Sequence, residues 1–226
     1  MIAFCTWLWG DKYEISDVVK LYSGIKRNIS QPFRFLVMTE RERNWSPPSE
    51  IERHAIKDPD LLAHKGCFAR LRMFDYGWQK NRGIDDRLVC LDLDTVVVSE
   101  IDPLFNRPEP FVILGGANSK NPCPYNGSVI MLRPGHHGEF WSEFSIDAVK
   151  HTKFYEFPDD QGWFWHMLPN AATWPCGRKS GIYGFMKPGW PIMNHELPDR
   201  ARMVVFPGAR MPKDFAHLDW IRRHWR

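Results

Sequence analysis

The chain opens with Ile2 to Leu8, a nearly unbroken apolar run that gives way at once to the turn Trp9-Gly10-Asp11-Lys12-Tyr13. A short apolar run bounded by turn residues is the pattern of a strand covered on both faces. From Glu14 to Ile29, Ile15, Val18, Val19, Leu21, Tyr22 and Ile25 recur at helical spacing, and Phe33 to Met38 is strand-like again. The opening is therefore β-α-β, which predicts a right-handed crossover between parallel strands. A turn with two prolines over 44–49 leads to a short strand at Ile51 to Ile56. Cys67 to Trp78 sets Phe68, Leu71, Phe74 and Tyr76 among Arg70 and Arg72 and reads as one helix.

Leu88 to Leu91 follows the polar turn Arg82-Gly83-Ile84-Asp85-Asp86 and predicts a central buried strand that ends in Asp92-Leu93-Asp94. Beyond it come a helical turn at Ile101 to Phe105, a strand at Phe111 to Leu114, and another at Ser128 to Leu132 after the turn Tyr125-Asn126-Gly127. One amphipathic helix is expected over 138–150, and Asp159-Asp160-Gln161-Gly162-Trp163 opens a further helix with acids in its first turn, where the macrodipole favours them. From Pro169 onward prolines, glycines and tryptophans break the periodicity. That part is expected to be loop-rich, a binding surface rather than new layers of sheet. The whole pattern predicts a single α/β, Rossmann-like domain with a mixed, mainly parallel central sheet flanked by helices.

Composition narrows the class. The chain has 226 residues, enough for one domain with a sizeable core, and its 43% hydrophobic and 25% charged content is that of a globular protein. Eleven tryptophans and 18 prolines suit a protein that binds flat or ring-shaped ligands, although many of these tryptophans will simply be core. The five cysteines are scattered without a C-x-x-C pair, which fits a reducing cytosol. The amino terminus lacks a basic n-region and reaches Asp11 too soon for a signal peptide, and no stretch approaches the roughly 20 apolar residues that span a bilayer.

A formal net charge of +3 gives no ground for nucleic-acid binding. The excess lies late: between Asp199 and Arg226, seven Lys/Arg face three acids. The ending Trp220-Ile221-Arg222-Arg223-His224-Trp225-Arg226 reads either as a solvated terminal helix or as a weak contact for an anionic membrane surface, peripheral at the inner face.

The candidate chemistry centres on Asp92 and Asp94. Carboxyl ends of strands in open α/β sheets are where ligands bind, and two carboxylates there need a cation or a raised pKa. A hard divalent ion shared with substrate phosphates meets that need; a pair of surface acids capping a turn and paired with an arginine is the plainer reading.

Taken in order, the motifs resemble those of the GT-A glycosyltransferases, in particular family 8, the glycogenin and lipopolysaccharide galactosyltransferase type. Trp9-Gly10-x-x-Tyr13 resembles the nucleotide-base loop, and Arg70-Leu71-x-Met73-Phe74 the basic helix before the D-x-D. Leu91-Asp92-Leu93-Asp94-Thr95 is similar to the metal motif, Asn126-Gly127-Ser128-Val129 to the strand start facing the sugar, and Asp160-Gln161 to the Asp-Gln pair beside it. The resemblance implies a nucleotide-binding half over about 1–115, an acceptor side over about 116–212 and a basic aromatic tail over 213–226. It implies transfer of a hexose, with retention, from a UDP-sugar to a hydroxyl of a glycan, lipid-linked or protein acceptor. Mn²⁺ or Mg²⁺ would sit on Asp92 and Asp94. Thr6, Trp9, Gly10, Asp11, Tyr13, Arg70, Asp92, Leu93 and Gly208 would contact the nucleotide, and Asp160, Gln161 and Asn126 would serve catalysis at the sugar.

Each residue has a plainer role too. Tyr13 can be core, Arg70 a helix-surface residue, Asp159 or Asp160 a cap, and Asn126-Gly127 a turn. One departure stands out. The resemblance implies a late histidine motif ending in Gly-x-x-Lys-Pro that supplies the third metal ligand, whereas Val205 to Pro212 keeps Gly208 and Pro212 without a histidine, leaving His195 and His217 as substitutes. Two rivals share the D-x-D stretch. Asp92-Leu93-Asp94-Thr95-Val96 also matches haloacid-dehalogenase-like phosphatases, with Asp92 as nucleophile and Asp94 as acid, although some 90 residues precede it. The other is a nucleotide- or sugar-binding module without turnover.

Overall fold

A computed structural model describes residues 1–40, 46–117, 121–154, 159–191 and 194–226. Ten strands are defined among them: β1 (Ile2–Leu8), β2 (Phe33–Thr39), β3 (Ile51–Ala55), β4 (Arg87–Leu91), β5 (Val96–Val97), β6 (Phe111–Gly115), β7 (Tyr125–Leu132), β8 (Ala172–Pro175), β9 (Ile182–Gly184) and β10 (Met203–Val205). Seven of them form the central sheet in the order β3-β2-β1-β4-β7-β6-β8. The pairings β1–β2, β2–β3, β1–β4 and β6–β8 are parallel, and β7 runs antiparallel to both β4 and β6. The mixed, mainly parallel α/β sheet predicted from the pattern is therefore present.

Alternation along each strand divides the core into two layers. Phe4, Val89 and Met131 face one side, with the helix Ile15–Asn28 through Val18, Leu21 and Ile25. Cys5, Cys90 and Ile130 face the other, against Phe74, Phe140 and Phe164. All five cysteines are free thiols.

Three expectations need correction, each for a local reason. Cys67 to Trp78 is not one helix but a 3-10 turn over Phe68–Phe74 followed by a helix over Tyr76–Lys80. Asp75 breaks it, because its carboxylate accepts from the Gly77 and Trp78 N–H groups and holds its own backbone extended. The stretch 138–150 likewise splits into Glu139–Ser142 and Ile146–Val149, where Ser145 caps the second piece through Ala148 N–H. The late region does add sheet: β8 extends the central sheet, and β5, β10 and β9 build a separate three-stranded one. Of the turn read over 44–49, residues 44 and 45 lie outside the described residues.

The basic aromatic tail is also not a free surface. Trp220 and Trp225 are buried, Trp220 donates to the His195 carbonyl at 2.7 Å, and Arg27 donates to the carbonyls of His224 and Arg226 at 2.7 and 3.1 Å. The tryptophans face the core, and Arg222, Arg223 and Arg226 remain exposed. Among the described residues no helix is long and apolar enough to cross a membrane.

Phe185 anchors this late layer. Its ring lies 4.7 Å from Phe206, 4.6 Å from Phe215 and 5.0 Å from Trp190, and it is 2% exposed. Truncation to alanine should remove roughly 3–5 kcal/mol of stability, read from the denaturant midpoint. A loss below about 1 kcal/mol would mean that the layer repacks around the gap.

Candidate active site

Because β7 is antiparallel to β4, the start of β7 lies at the same sheet edge as the end of β4, with Leu91 opposite Val129 and Asp92 N–H on the Ser128 carbonyl at 3.1 Å. The loop after β1 reaches this edge as well. A cavity of about 500 Å³ opens there, lined among others by Trp9, Tyr13, Asp92, Asn126, Asp160 and Gly208. These residues are far apart in sequence: the central sheet brings Trp9, Tyr13, Asp92 and Asn126 to one edge, the helix Asp160–Met167 carries Asp160, and the loop after β10 carries Gly208.

Arg70 forms the floor. Its Nε donates to Asp160 Oδ2 at 2.8 Å, Nη1 to Asp92 Oδ1 at 2.5 Å and to the Gly127 carbonyl at 3.0 Å, and Nη2 lies 2.6 Å from Asp160 Oδ2. The side chain is only 5% exposed. Burial opposes its charge, and the attraction of Asp160 and then Asp92 outweighs that effect, so the guanidinium is held more firmly charged than usual. Gly127 must be glycine for this contact: a Cβ there would stand 2.4 Å from Arg70 Nη2. Burial pushes Asp160 up to about 7, with Asp159 and Asp92 acting the same way against the pull of Arg70. Asp159 caps the helix Asp160–Met167 through Gly162 N–H, and burial raises it to about 6.

The opposite wall is built on Asp94. Its Oδ2 accepts from the Tyr13 hydroxyl at 2.6 Å and from Lys12 Nζ at 3.3 Å, while Oδ1 is buried without a hydrogen-bond partner. Burial and the nearby Asp92 raise Asp94 to about 6, against Lys12 and Tyr13. Tyr13 is itself displaced upward by burial and by Asp94, so it stays a neutral donor. Trp7 adds an indole N–H, also buried without a partner, at the same cavity.

Most of the residues singled out from sequence meet here: Trp9, Tyr13, Arg70, Asp92, Leu93, Asp94, Asn126, Asp160, Gln161 and Gly208 all line the cavity. Gln161 accepts from Gly127 N–H and donates to Asp159, and Asn126 accepts from Ser128 N–H. Three others stand outside the lining. Thr6 is fully buried and gives its hydroxyl to the Leu91 carbonyl at 2.8 Å, while Gly10 and Asp11 are exposed turn residues, Gly10 N–H donating to Glu40. Arg70, expected to face a diphosphate, is committed to two carboxylates instead.

Sequence reasoning missed Lys12 and Lys187, both at the cavity. Lys187 had a signal: Gly184-Phe185-Met186-Lys187-Pro188 is itself a Gly-x-x-Lys-Pro string, a better match to the late motif than Gly208 to Pro212. A Cβ at Gly184 would lie 2.8 Å from the Lys187 stem, so this glycine makes room for it.

The implied metal set does not assemble. Among the described residues no group of three or more His, Cys, Asp or Glu side chains is placed to hold an ion, and His195 and His217 are exposed residues away from the cavity. Asp92 is turned onto Arg70 and Asp94 onto Lys12 and Tyr13, so both carboxylates already have donors. A hard divalent ion seeks several oxygen ligands; Asp92 Oδ1 and Asp94 Oδ2 are engaged by basic or hydroxyl donors, and the unpartnered Asp94 Oδ1 by itself is too few to fit it.

No family profile and no curated protein sequence matches the chain. Its strand order and the edge at which its site lies define a GT-A fold. In particular, the chain is similar to the galactosyltransferase LgtC solved with donor and acceptor sugar analogs, at 12% identity and a TM-score of 0.64 over 97% of this chain and 93% of that one. An active-site mutant of LgtC gives 11% identity and a TM-score of 0.62 over 93% and 89%. The phosphatase reading gains nothing from the structure, since Asp92 follows the fourth strand rather than the first and its Oδ1 is held by Arg70.

Two outcomes test the site. Gly127→Ala should displace the guanidinium and lower stability toward the roughly 3–5 kcal/mol cost of breaking a buried ion pair, and an unchanged denaturant midpoint would show that Arg70 has room to move. A carboxyl raised on folding favours the folded state while protonated, so the contribution of Asp94 is complete below about pH 4 and lost as pH rises through about 6. Half-buried His54 and His224, pulled down, act in the opposite sense below about pH 6.5, so the comparison is made between variants. The melting temperature of wild type relative to Asp94→Asn should fall between about pH 5 and pH 8; a rise counts against the raised carboxyl.

Proposed function

We propose that this chain is a glycosyltransferase that moves a hexose from a nucleotide diphosphate donor, UDP-linked, to a hydroxyl of a glycan, lipid-linked or protein acceptor, with retention of configuration. The observation that carries this reading is convergence: Trp9, Lys12 and Tyr13 of the first loop, the D-x-D, the Asn126 to Ser128 strand start, Asp160-Gln161 and the Phe206 to Gly208 loop line one cavity at the carboxyl edge of the sheet. That edge is where open α/β sheets take ligands. The GT-A fold shared with a galactosyltransferase supports the same class.

In this reading Trp9 and Tyr13 flank the base, and the unpartnered Trp7 N–H and Asp94 Oδ1 supply a donor and an acceptor for donor hydroxyl or carbonyl groups. Asn126, Asp160 and Gln161 read the sugar. Asp160 is already bound by Arg70, so its carboxylate does not shift when the sugar enters, and such preorganisation favours the transition state. The departing diphosphate gains negative charge, which cationic side chains on the cavity wall neutralise.

UDP should raise the melting temperature where AMP does not, because only the former spans base loop and cationic wall. With a panel of UDP-sugars, UDP release should be measurable and should fall about 100- to 1,000-fold in Asp160→Asn while the UDP shift persists. UDP binding with no release from any sugar donor would favour the binding module. Absence of a shift with UDP, GDP, ADP, CDP and dTDP would sink the reading.

A further inference from the structure

We propose that the ammonium of Lys12, rather than a divalent ion, joins the D-x-D carboxylate to the late glycine loop and faces the donor diphosphate. The inference rests on the glycosyltransferase reading above and concerns how that site neutralises charge.

Lys12 Nζ lies 3.3 Å from Asp94 Oδ2 and 3.2 Å from the Gly208 carbonyl, and 4.6 Å from the Tyr13 ring centroid. The groups come from three separate loops, those after β1, β4 and β10, and the cation between them ties these loops together. A carboxylate and a carbonyl oxygen are the ligands a hard ion would take, and here an ammonium takes them. An ammonium has three donor hydrogens; two meet these oxygens and the third is left for a ligand. The side chain is 44% exposed beside a carboxylate that is 4% exposed, so the cation sits at the cavity wall with its anchor behind it.

Arg70, the most deeply buried cation of the cavity, does not replace it. Arg70 is 5% exposed and satisfied by Asp92 and Asp160, which leaves it no free charge to offer a diphosphate. Lysine is a compact point charge and a common phosphate binder, suited to a group whose oxygens bear changing charge. A divalent ion on Asp94 would have to share one carboxylate with Lys12 at hydrogen-bond distance, and the like charges would expel one of the two. Gly208, at φ +101°, takes a backbone conformation that favours glycine and turns its carbonyl onto Nζ, so the late loop serves the ammonium through its backbone where a histidine would serve a metal through its ring.

The test uses the full chain, with UDP as the probe, in EDTA and in excess Mn²⁺, followed by melting temperature; the free Mn²⁺ spectrum is titrated against protein without nucleotide. The expected result is the same UDP shift in both buffers and an undiminished free Mn²⁺ signal. Lys12→Met should weaken UDP binding about 10- to 100-fold in EDTA, and Lys12→Arg should retain most of it. A UDP shift that appears only with Mn²⁺, or Mn²⁺ bound by wild type and lost in Asp94→Asn, overturns the inference and leaves sugar transfer standing. No nucleotide diphosphate shift in either buffer removes both. The wild-type comparison of the two buffers decides even if Lys12→Met fails to fold.

Discussion

The guanidinium of Arg70 holds together elements that the chain separates widely. A side chain that is 5% exposed cannot keep a charge without partners, because desolvating an ion costs several kcal/mol even after relaxation. Asp160, Asp92 and the Gly127 carbonyl therefore have to converge on it. Their convergence fixes the start of the helix Asp160–Met167, the end of β4 and the start of β7 relative to one another. The reversed direction of β7 follows from the same need, since a parallel strand would carry its amino end to the far edge of the sheet. Cys67, in the left-handed region at φ 60°, begins the 3-10 turn that carries Arg70, and Asp160 N–H bonds the Gly66 carbonyl just before it.

Burial around this ion pair network explains the raised carboxyls. Asp94, Asp159 and Asp160 all lose water, and their nearest cations, Lys12 and Arg70, pull them back only in part. Four acids and three basic side chains line the cavity, so protonation of acids near neutral pH shifts the balance toward accepting an anion. The cost is carried by the fold. Asp94 Oδ1 and Trp7 Nε1 are buried with no partner at the cavity, where a ligand can supply the missing bond.

Much of this was legible in the chain because strand patterns are local. The runs at Ile2 to Leu8 and Leu88 to Leu91 are buried on both faces, and their composition announces it. D-x-D at the end of such a strand also announces its sheet edge. What stayed hidden depends on distance. Thr6 sits on the right strand, but its side chain points to the Leu91 carbonyl, a choice set by the neighbouring strand. Arg70 read as a free cation because nothing local reveals that Asp160, 90 positions later, neutralises it. Lys12 lay inside a turn already read for its aromatic residues, and its partner Gly208 is 196 positions away. The helix Cys67 to Trp78 failed for a local reason, since Asp75 competes for backbone N–H groups that hydrophobic spacing ignores.

The late half, read as loops, proves to be the support for one wall of the site. β10 pairs with β5, which directly follows the D-x-D, and with β9, so the small sheet carries Phe206 to Gly208 toward Asp94. Phe206 stacks on Phe185 and on Trp220 of the terminal helix, which places the tail's aromatic residues under the same loop. A tail resting on a lipid surface would have to withdraw Trp220 and Trp225 from that packing. Their burial is better understood as support for the Gly208 carbonyl, because a carbonyl on a glycine at φ +101° keeps its direction only while the segments on either side are held. Met211 and Pro212 are buried on the far side of the same turn, so packing grips the loop from both ends and leaves its exposed middle to face the cavity.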